Sequence, residues 1–232
     1  MRTNSNGNGI EVVSFDAWLT LIKSNATPNK ATRAGALYEL LGMQDRGVSL
    51  ADFQTVIKTA EKTGDERSEN GTKHYGPYER TELVLAHYGI PMLTDAQFSA
   101  FYAGQAQRFM EFPPELMQDD IIDVLKALAA KYRLALMSNT GFVNGAEMRP
   151  ALQAIGLLDL FTYQLFSNEV GANKPHALIY QALLDQSGVR ADQIVHIGDN
   201  RKADYDGATA MGMQAIHLPS SMTIREAVAT LL

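Results

Sequence analysis

The sequence predicts an α/β protein: a doubly wound parallel sheet of Rossmann-like build, interrupted near its start by an all-helical block. Three observations predict it. A β-branched and aromatic run, Val12-Val13-Ser14-Phe15, ends at Asp16; from about Pro28 to Met110 helix follows helix without a strand; and after Pro113-Pro114 helix and strand alternate strictly. Repeated β-α units build parallel sheets, and such sheets bind ligands beyond the carboxyl ends of their strands.

Taken in order, residues 1–10 are rich in Asn and Gly and read as a loose tail. Val12 to Phe15 reads as a buried strand that presents Asp16 at its end. The helical block, assigned to residues 25–111, divides at its apolar spacings. One helix carries Ala36, Leu37, Leu40 and Leu41; a second starts at Ser49 and carries Phe53, Val56 and Ile57; a third carries Leu83, Val84 and His87. A fourth is opened by Thr94 and Gln97 in capping-box spacing and continues through Phe98, Phe101 and Tyr102. Thr63 to Gly76 is polar and contains glycine, so an exposed loop is expected there. The remainder, 11–24 with 112–232, forms the α/β core. Its helices are expected at Asp119–Lys131, Glu147–Ile155, His176–Gln186, Lys202–Met211 and near Ile224–Leu231, with strands at Leu134–Met137, Tyr163–Phe166, Ile194–Ile197 and Gln214–His217.

Composition narrows the chemistry. The 232 residues carry a formal net charge of -6, and Lys and Arg are scattered, so the basic stripe of a nucleic-acid binder is missing. No apolar run reaches the roughly 18 residues that cross a bilayer, and Met1 to Gly9 is polar where a secretion signal would be apolar, so a cytoplasmic protein without a membrane partner is expected. There is no cysteine, which excludes disulfides and thiolate metal sites. The five histidines show no paired metal spacing, so hard oxygen ligands remain, and these suit magnesium. The expected partner is a small-molecule substrate, and the chain is expected to be a monomer or homodimer.

Four polar clusters fall at expected strand ends or helix starts: Asp16 to Thr20, Ser138-Asn139, Lys174-Pro175, and Gly198-Asp199 to Asp204. Each alone has an ordinary explanation as a cap or turn. Together they form a coherent site. Asp16 can attack phosphorus as a carboxylate, splitting one displacement into two. Asp16 and Asp199 on neighbouring strand ends would repel each other without a divalent cation. Ser138 and the amide of Asn139 can donate to phosphoryl oxygens, Lys174 can offset the gathering charge, and Asp204 can orient Lys174 or a metal-bound water.

The set Phe15-Asp16-Ala17-Trp18-Leu19-Thr20-Leu21, Leu136-Met137-Ser138-Asn139, Lys174-Pro175 and Ile197-Gly198-Asp199 with Asp204 resembles the four ordered motifs of the haloacid dehalogenase superfamily. The helical insert after the first motif resembles the subgroup with a helical cap between the first two. The resemblance implies a hydrolase with a bound Mg2+, the carbonyl of Trp18 as a further metal ligand, Thr20 as a positioner of Asp16, and a cap that closes over the site and selects the substrate.

One position departs from the pattern. Phosphatases of the superfamily carry a second Asp two residues after the nucleophile, as acid toward the leaving group and base toward water; here it is Trp18. Loss of a positioned acid/base costs about 10² to 10⁴ in rate, so a phosphohydrolase with low general activity is expected, least impaired on acyl, aryl or anhydride phosphates. An aromatic residue here also resembles the 2-haloacid dehalogenases, which protonate no leaving-group oxygen and look different at the fourth motif. Dehalogenation is therefore one alternative, and a phosphotransferase or non-catalytic scaffold another. In the helical block Arg33, Lys58, Lys62, Lys73, His74, Tyr75, Tyr78 and Arg80 are candidate specificity residues; Lys73, His74 and Tyr75 stand out because they fall in the expected loop.

Overall fold

The computed structural model describes residues 9–25, 32–70 and 74–232. Its centre is a five-stranded parallel sheet built from β1 (Val12–Phe15), β4 (Arg133–Ser138), β5 (Tyr163–Phe166), β6 (Ile194–Gly198) and β7 (Gln214–His217), in the order β5-β4-β1-β6-β7. β1 lies between β4 and β6, with Phe15 opposite Leu136 and Ile197, so Asp16 emerges at the middle of the sheet's carboxyl edge.

Alternation along β1 explains its fully buried sequence, because successive side chains serve opposite faces. Val13 and Phe15 pack with α5 (Ile121–Ala129), α6 (Gly145–Ala154) and α10 (Ile224–Ala227). Val12 joins the cluster on the other face with Ile179, Tyr180 and Leu183 of α8 (Ala177–Ser187) and Ala208 of α9 (Gly207–Ala210). Ser14, on that second face, meets the buried His196 through its hydroxyl at 2.9 Å. Ile10, assigned to the tail on sequence, is buried in the core; Gly9 is exposed, and residues 1–8 of that tail lie outside the described residues.

Between β1 and the rest of the sheet stand α1 (Arg33–Leu40), α2 (Leu50–Asn70), α3 (Pro77–His87) and α4 (Asp95–Glu111), which gather around Leu37, Phe53, Ile57, Val84 and Phe101. Phe142, from the loop after β4, inserts into this cluster. A two-stranded antiparallel ribbon of β2 (Ile22–Lys23) and β3 (Glu115–Leu116) ties the entry to the exit of the helical block. The sequence reading passed over this ribbon, and also over the one-turn α7 (Ser167–Val170), because both are too short to show a period.

The expected loop at Thr63–Gly76 is instead helical as far as Asn70. The buried face of α2 runs Phe53, Ile57, Ala60, Gly64, Ser68, so helical spacing continues with small residues where apolar ones end. Hydropathy does not detect such a stripe. The capping box at Thr94 and Gln97 forms as expected. Lys202–Met211 is a π-helical turn over Arg201–Asp206 followed by α9, and the last helix stops at Ala227. No helix among the described residues is long and apolar enough to cross a membrane.

Candidate active site

Asp16 leaves β1 with its amide donating to the Ile197 carbonyl at 2.9 Å, which fixes it to the neighbouring strand. The chain then turns sharply: the Ala17 carbonyl accepts from the amides of Leu21 and Ile22, and the Leu19 amide donates to the Ile22 carbonyl at 2.7 Å. Leu19 sits in the left-handed region at φ 59°, a conformation that costs a side-chain-bearing residue about 1–2 kcal/mol. Leu19 is 60% exposed, an apolar residue at the surface close in sequence to Asp16. The Trp18 ring packs on Phe109 of α4, with centroids 6.4 Å apart.

Lys174 is the hub of the site. Fully buried, its ammonium donates to Asp16 Oδ1 at 2.7 Å, the Met137 carbonyl at 2.7 Å and Asp204 Oδ1 at 2.8 Å. Burial alone would depress the lysine, but the two carboxylates outweigh it and hold it above the usual range. Burial pushes the Asp16 carboxyl up to about 7 against the pull of Lys174, with Asp204 and Asp199 adding to the rise. Asp204 moves the other way. Burial opposes its ionisation, yet Lys174 and His196 together hold it below the ordinary carboxylate range. His196 Nε2 lies 3.2 Å from Asp204 Oδ1, and burial keeps the imidazole's pKa low and the ring neutral near pH 7.

Asp199 follows β6 and meets Thr20 twice: its amide donates to the Thr20 hydroxyl at 3.1 Å, and that hydroxyl lies 3.4 Å from Asp199 Oδ1. Its carboxyl is raised by burial and by Asp204. His217 Nε2 stands 2.9 Å from the Asp199 carbonyl. Gly198 is required by packing, since a Cβ there would overlap the Asp204 carboxylate. The Asn200 amide donates to Asp204 Oδ2 at 2.9 Å. Asp204 is thus held from both oxygens, whereas Lys174 meets Asp16 at Oδ1 and Thr20 meets Asp199 at Oδ1.

Oxygens of Asp16, Asp199 and Asp204 all lie within 4.8 Å of one another. Three buried or half-buried carboxylates face one ammonium and a neutral imidazole, an excess of negative charge that suits a divalent cation on hard oxygen ligands. Asn139 braces Lys174 through the main chain, with Nδ2 donating to the Lys174 carbonyl at 2.9 Å and Oδ1 accepting from its amide at 2.7 Å. The Ser138 hydroxyl is fully buried and donates to the Asn139 carbonyl at 3.3 Å.

These groups open into a cavity of about 510 Å³ between the sheet edge and the helical block. Asp16, Trp18, Asn139, Lys174, Asp199 and Asp204 line it; Thr20 and Ser138 stand behind them. The facing wall differs from the sequence expectation. Lys73 lies outside the described residues, and neither His74 nor Tyr75 lines the cavity. His74 Nδ1 instead meets Asn173 Oδ1 at 2.8 Å, beside Lys174, and the Tyr75 carbonyl accepts from Arg80 Nε at 2.7 Å. The wall comprises Arg33 of α1, Glu61, Asp65 and Glu69 of α2, and Arg80 of α3. The helical extension of α2 is the cause, because it continues the four-residue spacing from Glu61 to Asp65 and Glu69, each opposite a base: Arg33, Arg80 and Lys202. Arg80, 2% exposed, also donates to the Glu61 carbonyl at 2.9 Å and is wedged between Gly64 and Gly141. The two glycines, one in each unit, are the sequence signal that could have located this contact. Thr140, missed on sequence, ties the loop after β4 to α7 by accepting from the Asn168 amide at 3.2 Å.

Comparison with known proteins follows the same lines. The model of the haloacid dehalogenase-like hydrolases matches residues 10–212. A glyceraldehyde 3-phosphate phosphatase of Methanothermobacter thermautotrophicus is 33% identical over 94% of this chain and 89% of its own length. The human haloacid dehalogenase-like hydrolase domain-containing protein 3 is 29% identical over 58% of this chain; the chain spans about half of that relative's length, 53%. The crystal structure of the HAD-hydrolase YfnB of Bacillus subtilis, bound to magnesium, superposes with a TM-score of 0.70 at 19% identity, covering 96% of this chain and 98% of that one, and so shares the fold. With its four motifs gathered on one sheet edge and the family model matching nearly its whole length, the chain belongs to the haloacid dehalogenase-like hydrolase family.

Proposed function

We propose that the chain is a magnesium-dependent phosphohydrolase that acts on a small phosphorylated metabolite through Asp16. The observation that carries this reading is the unbalanced charge of the site, with Asp16, Asp199 and Asp204 around the single ammonium of Lys174. Asp204 is already held by Lys174 and the Asn200 amide, so Asp16 and Asp199, with the carbonyl of Trp18, are the ligands assigned to magnesium. Bound there, the ion would neutralise the carboxylates and polarise the phosphoryl group.

In the first step an Asp16 oxygen bonds to phosphorus while the bond from phosphorus to the leaving oxygen breaks, giving an aspartyl phosphate and the departing alkoxide, phenolate or carboxylate. Water then attacks phosphorus, returning the Asp16 carboxylate and releasing phosphate. Lys174 holds Asp16 in line and offsets its charge; Asn139 keeps Lys174 in place and offers its amide to the phosphoryl oxygens. Thr20 holds Asp199, and Ser138 shapes the loop that carries Asn139. Trp18 cannot give a proton to the leaving oxygen, so the reading favours weakly basic leaving groups such as acyl, aryl or anhydride phosphates. Residues 25–111 serve as the cap over a core of 11–24 and 112–232, and cap closure excludes water from the site.

The second reading, 2-haloacid dehalogenation, draws on the aromatic Trp18 alone; the acidic pair Asp199 and Asp204 opposes it. A panel of aryl, acyl and alkyl phosphates and of 2-haloacids, assayed with and without magnesium, tests both. Magnesium-dependent release of phosphate is expected, and metal-independent release of halide would replace this reading with the other.

A further inference from the structure

A second cavity, about 250 Å³, opens off the first and shares a wall with it that includes Arg33, Phe109, Phe112 and Phe142. No carboxylate of the catalytic cluster reaches it. It therefore lies where the part of a substrate beyond the reacting phosphorus would extend.

The charged groups among the described residues of this chamber are two arginines and one glutamate. Arg33 lies over the Phe142 ring at 4.2 Å from guanidinium to centroid, and its Nη1 reaches Glu61 at 3.2 Å. Arg108, on the last turn of α4, lines the chamber and makes no ion pair among the described residues. Gln105, one turn earlier, holds its side-chain Nε2 buried without a hydrogen-bond partner. A buried amide donor left unpaired is costly, and a ligand that accepts from it removes that cost. Glu147, the one acid among the described residues of the lining, is engaged by the Tyr102 hydroxyl at 2.6 Å and the Asn144 amide at 3.2 Å. With Arg33 paired to Glu61, Arg108 is the guanidinium of the lining that has no ion pair among the described residues, which leaves room for one negative charge and fits a carboxylate better than a dianionic second phosphate.

We propose that this chamber is a leaving-group subsite for substrates whose phosphorylated portion carries a planar apolar segment ending in a carboxylate, read by Arg108 and Gln105 with Arg33 at the threshold. The proposal rests on the phosphohydrolase reading above and adds the substrate class. The aromatic wall supplies contact for the planar segment, and charge-assisted hydrogen bonds fix its end.

The test compares 3-carboxyphenyl phosphate, its 3-carbamoyl counterpart and a phenyl phosphate bearing a second phosphate in that position, with magnesium present. Wild type is expected to favour the carboxylate over the carboxamide about tenfold or more in kcat/KM, chiefly through KM. In Arg108→Met that ratio falls to near one, in Gln105→Leu it falls several-fold, and Arg108→Lys keeps part of it. Equal kcat/KM for the two in wild type, an unchanged ratio in Arg108→Met, or preference for the bisphosphate would overturn the proposal. Calorimetric binding of 3-hydroxybenzoate reads the chamber without turnover. Binding lost in Arg108→Met supports the subsite even where no phosphate is released, a result that would defeat only the phosphohydrolase reading; no binding to wild type counts against the subsite.

Discussion

Lys174 Nζ stands 2.7 Å from Asp16 Oδ1, the ammonium brought to that carboxylate from 158 positions further along the chain. The same ammonium holds Asp204, so two carboxylates depend on one buried cation. Lys174→Met would leave both facing each other without compensation. Breaking a buried pair in this way costs roughly 3–5 kcal/mol, or on the order of 6–20 °C in melting temperature for a chain of this size. Catalysis is expected to fall by at least about 10². A melt and a turnover assay check this, and a variant that melts like wild type would show that Asp204 and Asp16 do not rely on Lys174.

Proton release on metal binding follows from the raised carboxyl of Asp16. At about 7 its pKa leaves it roughly nine-tenths protonated at pH 6 and one-tenth at pH 8 without metal. Since the metal takes the ionised form, binding should expel close to a full proton at pH 6 and little at pH 8, with Asp199 adding in the same direction. Apparent affinity should accordingly rise with pH up to about 7 and then level off. Calorimetry of magnesium binding in buffers of different ionisation enthalpy measures the protons, and a binding heat independent of buffer at pH 6 would refute the assignment of Asp16 as ligand.

Gly198 tests how tightly the fourth motif is built. An added Cβ would overlap the Asp204 carboxylate, so Gly198→Ala should displace Asp204 and, through it, Lys174. Turnover is expected to drop by about 10² or more with the fold retained. Near-normal turnover would mean that Asp204 is not held where the mechanism needs it.

Trp18→Asp tests the proposed role of Trp18 by placing a carboxyl two residues after Asp16. The expected outcome is a selective gain on alkyl phosphates, whose leaving oxygens need a proton, with little change on aryl phosphates. The alkyl-to-aryl ratio of kcat should rise at least about tenfold. An unchanged ratio in a folded variant would show that the proton comes from elsewhere. Loss of the Trp18 contact with Phe109 makes a melting curve the necessary companion measurement.

The core was legible in the sequence because its signals are local and periodic. Val12 to Phe15 announces a buried strand, and the polar residues at strand ends, Asp16, Ser138-Asn139 and Asp199, follow from parallel topology. The facing wall was legible only in part, for a physical reason. Gly64 and Ser68 continue the buried stripe of α2 without hydrophobicity, so the segment has the pattern of a loop; Arg33 and Arg80, candidates on sequence, do line the cavity, whereas Asp65 and Glu69 are hidden by that loop-like pattern and Glu61 by its likeness to any solvated helix residue. His196 also escaped notice, since only the register of β6 against β1 reveals that it shares a face with Ser14 and reaches Asp204.

Thermal melting with magnesium and beryllofluoride, a mimic of the phosphorylated carboxylate, puts the central claim to its most direct test. If Asp16 is the nucleophile and shares a cation with Asp199, the two additives together should raise the melting temperature by several degrees, since a ligand at about 100 times its Kd stabilises by about 2.7 kcal/mol. Asp16→Asn should abolish that rise while remaining folded. A wild-type protein that does not respond, or an Asp16→Asn variant that responds as strongly, would contradict the account.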